Sequence, residues 1–201
     1  MKKLLPFLLA SFCAVALALS VAGCDKLPGK QASFQNTDVT GLDYAKGFSL
    51  LDHTGKPRTL ADYKGKVVLV FFGYTQCPDV CPTTMAEMAS VMQKLGPQAD
   101  QVQVLFITLD PERDTPSLLA SYVPAFDKRF VGLYGTPEQT AKVAKDFKVF
   151  YSKVPGKEPG SYTIDHTAGT YAYDREGRLR LFIRHGGGAD PIVHDIRQLL
   201  G

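Results

Sequence analysis

At 201 residues, 45% of them aliphatic, aromatic or cysteine, the chain holds enough apolar material for one ordinary core and too little for two comfortable domains. The formal net charge is +3 with acids and bases interspersed, so the basic stripe that nucleic-acid binding requires is missing. Gly and Pro fall at turn positions, and no low-complexity tract or internal repeat signals a linker array or solenoid.

The N-terminus reads as an address. Lys2 and Lys3 precede a largely apolar stretch over 4–19, the pattern of a bacterial export signal. It closes on Val21-Ala22-Gly23-Cys24, which resembles the lipobox of bacterial lipoproteins, where the cysteine becomes the lipid-modified first residue. The alternative is an uncleaved anchor, since 4–22 is just about long enough to span a bilayer. Either route tethers the domain to a membrane. Asp25 resembles the inner-membrane retention signal of Gram-negative lipoproteins, which implies the periplasmic face of the inner membrane. Residues up to 46 are polar and aperiodic, as a spacer would be. The expected division is therefore a signal peptide over 1–23, a flexible tether over 24–46 and a folded domain over 47–201.

Within that domain, 48–51 is a short apolar segment ending at the turn Asp52-His53-Thr54-Gly55. Residues 67–72 form an unbroken hydrophobic run between Gly65 and Gly73, predicting a strand buried on both faces. Helix-like 85–95, strand-like 102–109, helix-like 117–126, strand-like 130–134 and helix-like 138–147 follow, an alternation that predicts a parallel sheet with crossovers. Two further strands, 167–173 and 179–184, flank a loop with hairpin chemistry, Asp174-Arg175-Glu176-Gly177-Arg178. Asp190 as N-cap and Pro191 at the first helical position then open a terminal helix. A β-α-β half followed by a β-β-α half, with two cysteines after the first central strand, describes an α/β, thioredoxin-like fold. Strands are added at its N-terminus and a helical segment is inserted.

Cys13 lies in the leader and Cys24 is assigned to lipid, so the domain owns one close thiol pair, Cys77 and Cys81. In Cys77-Pro78-Asp79-Val80-Cys81-Pro82 a helix starting at Pro78 would put Pro82 in its interior. The helix is therefore expected to start at Pro82, with both sulfurs facing the positive end of its dipole, which favours thiolate. An inert disulfide would close too short a loop to stabilise much. Structural zinc would be a ligand short with two cysteines and one histidine. Two thiolates suit Cu(I), and an added imidazole suits the oxidised ion.

Of the four histidines, His53 lies in a polar turn, His194 in the terminal helix and His185 before three glycines. His166 stands directly before the strand 167–173, where a thioredoxin fold places the loop facing its cysteine motif. Asp165 could orient that neighbourhood or simply form the turn. Thr115 and Pro116 read as N-cap and first residue of a helix. The acidic turn before them, Asp110, Glu112, Arg113 and Asp114, is either an ion-paired support for the cysteine loop or a docking surface. Asp79 is read as serving its turn.

The cysteine loop, Thr108-Leu109-Asp110-Pro111-Glu112-Arg113-Asp114-Thr115-Pro116 and Tyr162-Thr163-Ile164-Asp165-His166-Thr167 together resemble the Sco/SenC family over about residues 45–200. These are copper-binding, thioredoxin-like proteins associated with cytochrome c oxidase assembly. The resemblance implies that Cys77, Cys81 and His166 are copper ligands, one ion per domain. It also implies that the acceptor is the binuclear copper centre of cytochrome c oxidase subunit II. The competing expectation is a thiol-disulfide oxidoreductase using Cys77 and Cys81 as its redox pair. Three residues separate these cysteines where thioredoxin-type reductases have two, and such a reductase has no evident need of His166. A peroxiredoxin-like peroxidase would carry Thr three residues before its attacking cysteine, and Tyr74 is there.

Overall fold

The computed structural model describes residues 33–201, so the expected signal peptide, Cys24 and the first part of the tether lie outside the described residues. Along the chain run β1 (Thr37–Asp38), β2 (Ser49–Asp52), β3 (Pro57–Thr59), β4 (Val67–Gly73), α1 (Val80–Leu95), β5 (Val102–Thr108) and α2 (Pro116–Tyr122). There follow β6 (Val131–Tyr134), α3 (Pro137–Asp146), β7 (Tyr151–Pro155), β8 (Tyr162–His166), β9 (Gly169–Tyr173), β10 (Leu179–Arg184) and α4 (Ala189–Leu200). Among the described residues, no helix is long and apolar enough to cross a membrane.

The apolar run 67–72 becomes the middle of the molecule. All seven residues of β4 are buried, with β5 parallel on one side from Val67↔Val102 to Gly73↔Thr108 and β9 antiparallel on the other. Side chains alternate across a strand, so the run feeds two cores. Val67, Leu69 and Phe71 pack with Met85, Met88 and Met92 of α1 and Ile192 and Ile196 of α4. Val68, Val70 and Phe72 face Val143, Ala144 and Phe147 at the α3 side. Outward from this centre the eight-stranded order is β1-β10-β9-β4-β5-β6-β2-β3. A register irregularity between Leu179 and Leu181 turns β10 over, so that Leu179 joins the second core and Leu181 and Ile183 the first. This is the expected thioredoxin-like arrangement, with β1, β2 and β3 as the N-terminal additions and α2 as the inserted helix.

Four expectations change. First, residues 33–46, read as spacer, pack on the domain where they are described. The Gln35 and Asn36 amides donate to Asp195 at 2.8 Å each, β1 pairs with β10, and Val39 and Ala45 are buried. The backbone amides of Gln35 and Asn36 serve a partner far along the chain, while most side chains of the segment stay exposed. Second, α1 starts at Val80 and not at Pro82. Pro82 is its third residue, inside the first turn, where an N–H has no intrahelical acceptor, and the ladder begins with Thr83 N donating to Asp79 O at 3.2 Å. Third, α4 is capped by Gly188 at φ +83°, and the Asp190 side chain pairs with Lys94 at 2.5 Å. Fourth, β7 and β8 form a separate two-stranded antiparallel sheet that no local pattern predicts, with Tyr151 opposite His166. His166 therefore ends a strand of its own, two residues before β9 begins. Thr115 caps α2 as expected, accepting from Leu118 N at 3.2 Å.

Candidate metal centre

β4 delivers the chain to the site through Gly73. A Cβ there would lie 2.9 Å from Cys81 Sγ and 2.9 Å from Phe106 Cε2, so only glycine lets the helix and its sulfur come this close to the strand. Beyond it the chain turns tightly, with Cys77 N donating to Tyr74 O at 3.2 Å, and α1 begins. Cys81, its second residue, is fully buried, and its backbone N–H points at Cys77 Sγ at 3.4 Å. First-turn amides lack intrahelical partners, so a sulfur can take this one.

The third group arrives from the separate hairpin. Along β8 the residues Tyr162, Ile164 and His166 turn inward while Thr163 and Asp165 are exposed, the period of a half-buried strand. His166 Nε2 lies 3.5 Å from Cys81 Sγ, while Nδ1 lies 3.1 Å from the carbonyl of Thr167. A proton on Nδ1 donated to that carbonyl leaves the Nε2 lone pair directed at the sulfurs. The ring stands edge-on to Phe71 and Tyr74, with centroids 6.1 and 6.2 Å away. The two Sγ atoms and the imidazole nitrogen all lie within 4.8 Å of one another, the one such group of three Cys, His, Asp or Glu among the described residues. Cys77 and His166 border an open cavity of about 300 Å³ that Tyr74, Asp79 and Asp165 also line, with Cys81 buried behind them.

Burial favours the neutral forms of Cys81 and His166. Burial pushes the Cys81 thiol well above its ordinary range, helped by a hydrogen bond with Cys77, so the thiolate expected from the helix dipole does not form at Cys81. Burial also lowers His166, against the raising influences of the Thr167 carbonyl and Asp165. Both cysteines are free thiols, Cys77 half-buried and Cys81 buried. A soft cation entering here displaces thiol protons and meets a neutral imidazole.

The other histidines are elsewhere engaged. His53 Nδ1 accepts from Gly132 N at 3.1 Å, and His194 Nδ1 lies 2.9 Å from Asp195. His185 is exposed, with Nδ1 2.9 Å from Thr84 Oγ1. Asp79 serves its turn through its backbone carbonyl, which accepts from Thr83 N, and its side chain makes no cap bond.

The acidic turn sits between the two halves of the site. Asp114 is 1% exposed and accepts from Thr75 N at 3.0 Å, Thr75 Oγ1 at 2.5 Å and Thr108 Oγ1 at 2.6 Å. Burial nevertheless leaves its carboxyl above the usual range. Asp110 pairs with Arg113, whose guanidinium lies 3.5 Å from the Tyr162 ring centroid and donates to Tyr162 O at 2.9 Å. Tyr162 Oη donates to Asp110 at 2.8 Å. Of the two readings left open for this turn, these contacts make it a support for the cysteine loop, through Thr75. The sequence assigns no role to Thr75, Tyr74 or Tyr162 at the site. For Tyr162 a signal exists, because it lies four residues before His166 in a strand that alternates.

Residues 37–201 match the family model described as SCO1/SenC. The mouse protein described as "Protein SCO2 homolog, mitochondrial" is 40% identical over 153 residues, 75% of this chain and 60% of that one. The chain thus spans about six-tenths of that relative's length. Bradyrhizobium japonicum ScoI, solved with copper bound, superposes with a TM-score of 0.71 at 43% identity, covering 77% of this chain and 98% of the other. A structure described as a SCO1/SenC family lipoprotein from Bacillus anthracis gives 0.68 at 26% identity, covering 80% and 97%.

Proposed function

Because the chain belongs to the SCO1/SenC family, we propose that Cys77, Cys81 and His166 hold one copper ion and that the domain delivers it during cytochrome c oxidase assembly. The observation that carries this reading is the convergence of two sulfurs and one imidazole nitrogen within 4.8 Å, in a fold shared with a copper-bound ScoI at 43% identity. The cysteines suit Cu(I) by softness, and the imidazole adds the nitrogen that Cu(II) favours. Copper here is cargo. The open cavity gives a second protein's ligands access to it, and transfer then proceeds by ligand exchange with an acceptor such as the copper site of oxidase subunit II.

The rest of the reading concerns place. Lipid on Cys24 would hold the domain at the periplasmic face of the inner membrane, with 1–23 removed and a short tether before residue 33. The Bacillus anthracis lipoprotein of the same fold supports this. Cys24→Ser is expected to abolish incorporation of a labelled fatty acid and leave the precursor unprocessed. A wild-type mature protein with an unmodified N-terminus would contradict it.

A second reading is favoured by one observation, that Cys77 and Cys81 are free and adjacent. A partner disulfide could be reduced to two thiols while these two become a disulfide, two electrons and two protons leaving this pair. The deciding test is anaerobic Cu(I) competition titration of the reduced protein. One equivalent should bind tightly in the wild type and none in Cys77→Ser/Cys81→Ser. Equal stoichiometry and affinity in the double variant would remove the copper assignment.

A further inference from the structure

Resting on the copper reading above, we propose that Arg113, paired with Asp110, is the positioning residue that holds His166 in the ligand set. The ligands come from two bodies. Cys77 and Cys81 belong to the β4–α1 junction, inside the main sheet and its helix, whereas His166 belongs to the β7–β8 hairpin, which shares no strand pairing with that sheet. Contacts other than strand pairing therefore set the distance between them, together with the two-residue link from His166 to β9 and the burial of Ile164 in the first core. The five-residue turn 110–114 touches both. Through Asp114 it holds Thr75, two residues before Cys77. Through Asp110 and Arg113 it holds Tyr162, four residues before His166 on the same face of β8. A strand residue and its neighbour four positions on move together, so fixing Tyr162 fixes the approach of the imidazole.

Arg113 is suited to this in a way lysine is not. One face of its planar guanidinium lies against the Tyr162 ring at 3.5 Å, Nε is bonded to Asp110, and Nη1 reaches the Tyr162 carbonyl at 2.9 Å. Tyr162 Oη closes the ring of contacts on the other oxygen of Asp110 at 2.8 Å. The same face is pinned from the cysteine side by Tyr74, whose Oη accepts from Ile164 N at 3.1 Å and whose ring lies 5.8 Å from the guanidinium. Farther out, Lys153 of β7 pairs with Glu112 at 2.7 Å, but both are exposed, and such pairs contribute little.

The test is a double-mutant cycle on Cu(II) affinity and electron paramagnetic resonance, using Arg113→Met, His166→Ala and the combination, each checked for folding by near-UV circular dichroism. Arg113→Met is expected to weaken Cu(II) by about tenfold and to remove the imidazole nitrogen coupling from the spectrum, as loss of an outer support does. Cu(I), held by the sulfurs, changes far less. In a His166→Ala background, Arg113→Met should add nothing, because it acts through the imidazole. Arg113→Lys should recover only part of the effect. Should Arg113→Met not fold, Tyr162→Phe removes one bond and keeps the stacked ring, with a smaller change in the same direction expected. Independent, additive losses, or an unaltered nitrogen coupling in a folded Arg113 or Tyr162 variant, would overturn this inference alone. A His166→Ala protein with wild-type Cu(II) affinity and spectrum would overturn the ligand reading, and this inference with it.

Discussion

The two halves of the metal centre are held by different physics. The cysteine side grows from a strand whose seven residues are all buried, paired with a strand on each side, and Cys81 itself is fully buried. On the histidine side, Lys153, Val154 and Pro155 of β7 are exposed, β8 buries only Ile164, and the two strands pair only with each other. Packing fixes the sulfurs, each large core side chain contributing several kcal/mol on the order of a Leu or Phe truncation. Polar bonds fix the imidazole, each contributing about 1 kcal/mol, somewhat more where a charge takes part. The two candidate sulfur ligands are therefore the more firmly packed and the candidate nitrogen ligand the less. On the delivery reading proposed above, that division would suit a site that both retains Cu(I) and surrenders it.

The largest expected effect tests the firmly packed half. Phe71→Ala, at a fully buried position beside both the sulfur and the His166 ring, is expected to cost about 3–5 kcal/mol in urea unfolding. Val154→Ala, on the exposed part of the hairpin, should stay within about 0.5 kcal/mol. Equal losses at the two positions would erase the contrast. A smaller effect tests the less firmly packed half. His166→Ala should weaken Cu(II) at least about tenfold more than Cu(I), or about 1.4 kcal/mol, in competition titrations. Disulfide exchange with a small reagent should be left largely intact. A uniform loss for both ions would mean that the imidazole serves the two oxidation states alike, as the sulfurs do.

The smallest effect is on pH dependence. Burial lowers His166, so the unfolded chain takes up a proton near the ordinary value of 6.5 while the folded one does not. This contribution to stability is complete above about 6.5 and is lost as pH falls from there towards the lower folded value. The apo-protein's thermal midpoint should decline over that interval, and His166→Ala should flatten the decline. The same slope in both proteins would place the imidazole in solvent.

The firmly packed half was also the legible half. An unbroken run such as 67–72 can only be a buried element, and Thr115-Pro116 carries its own capping chemistry. The hairpin escaped because β7 reads Tyr-Ser-Lys-Val-Pro, with neither a run nor a sustained alternation. Its significance comes from pairing across to His166. Residues 33–46 escaped for the same reason: the partner of Gln35 is Asp195, 160 positions away, and no local pattern announces it. The start of α1 was misplaced by weighing Pro82 as an interior residue, when first-turn positions tolerate proline. Asp110 and Arg113 were visible as charges, but their role depends on Tyr162, which the chain brings back 49 residues later.

The anchoring of the first described residues on Asp195 has a mechanical consequence. Asp195 is fully buried midway along α4 and takes three bonds of 2.8 Å from Gln35 and Asn36. Burial by itself would raise this carboxyl, yet His194 and the bonds from Gln35 and Asn36 hold it below its usual value, so the acceptor is an anion. A pull applied at Ser33 therefore loads several charge-assisted bonds at once before it can peel β1 from β10. The reaction force is taken by α4, whose Ile192, Val193 and Ile196 are seated in the same core as α1. Such a pull is thus spread through the α1–α4 helix pair as a shear load instead of falling on a single strand end.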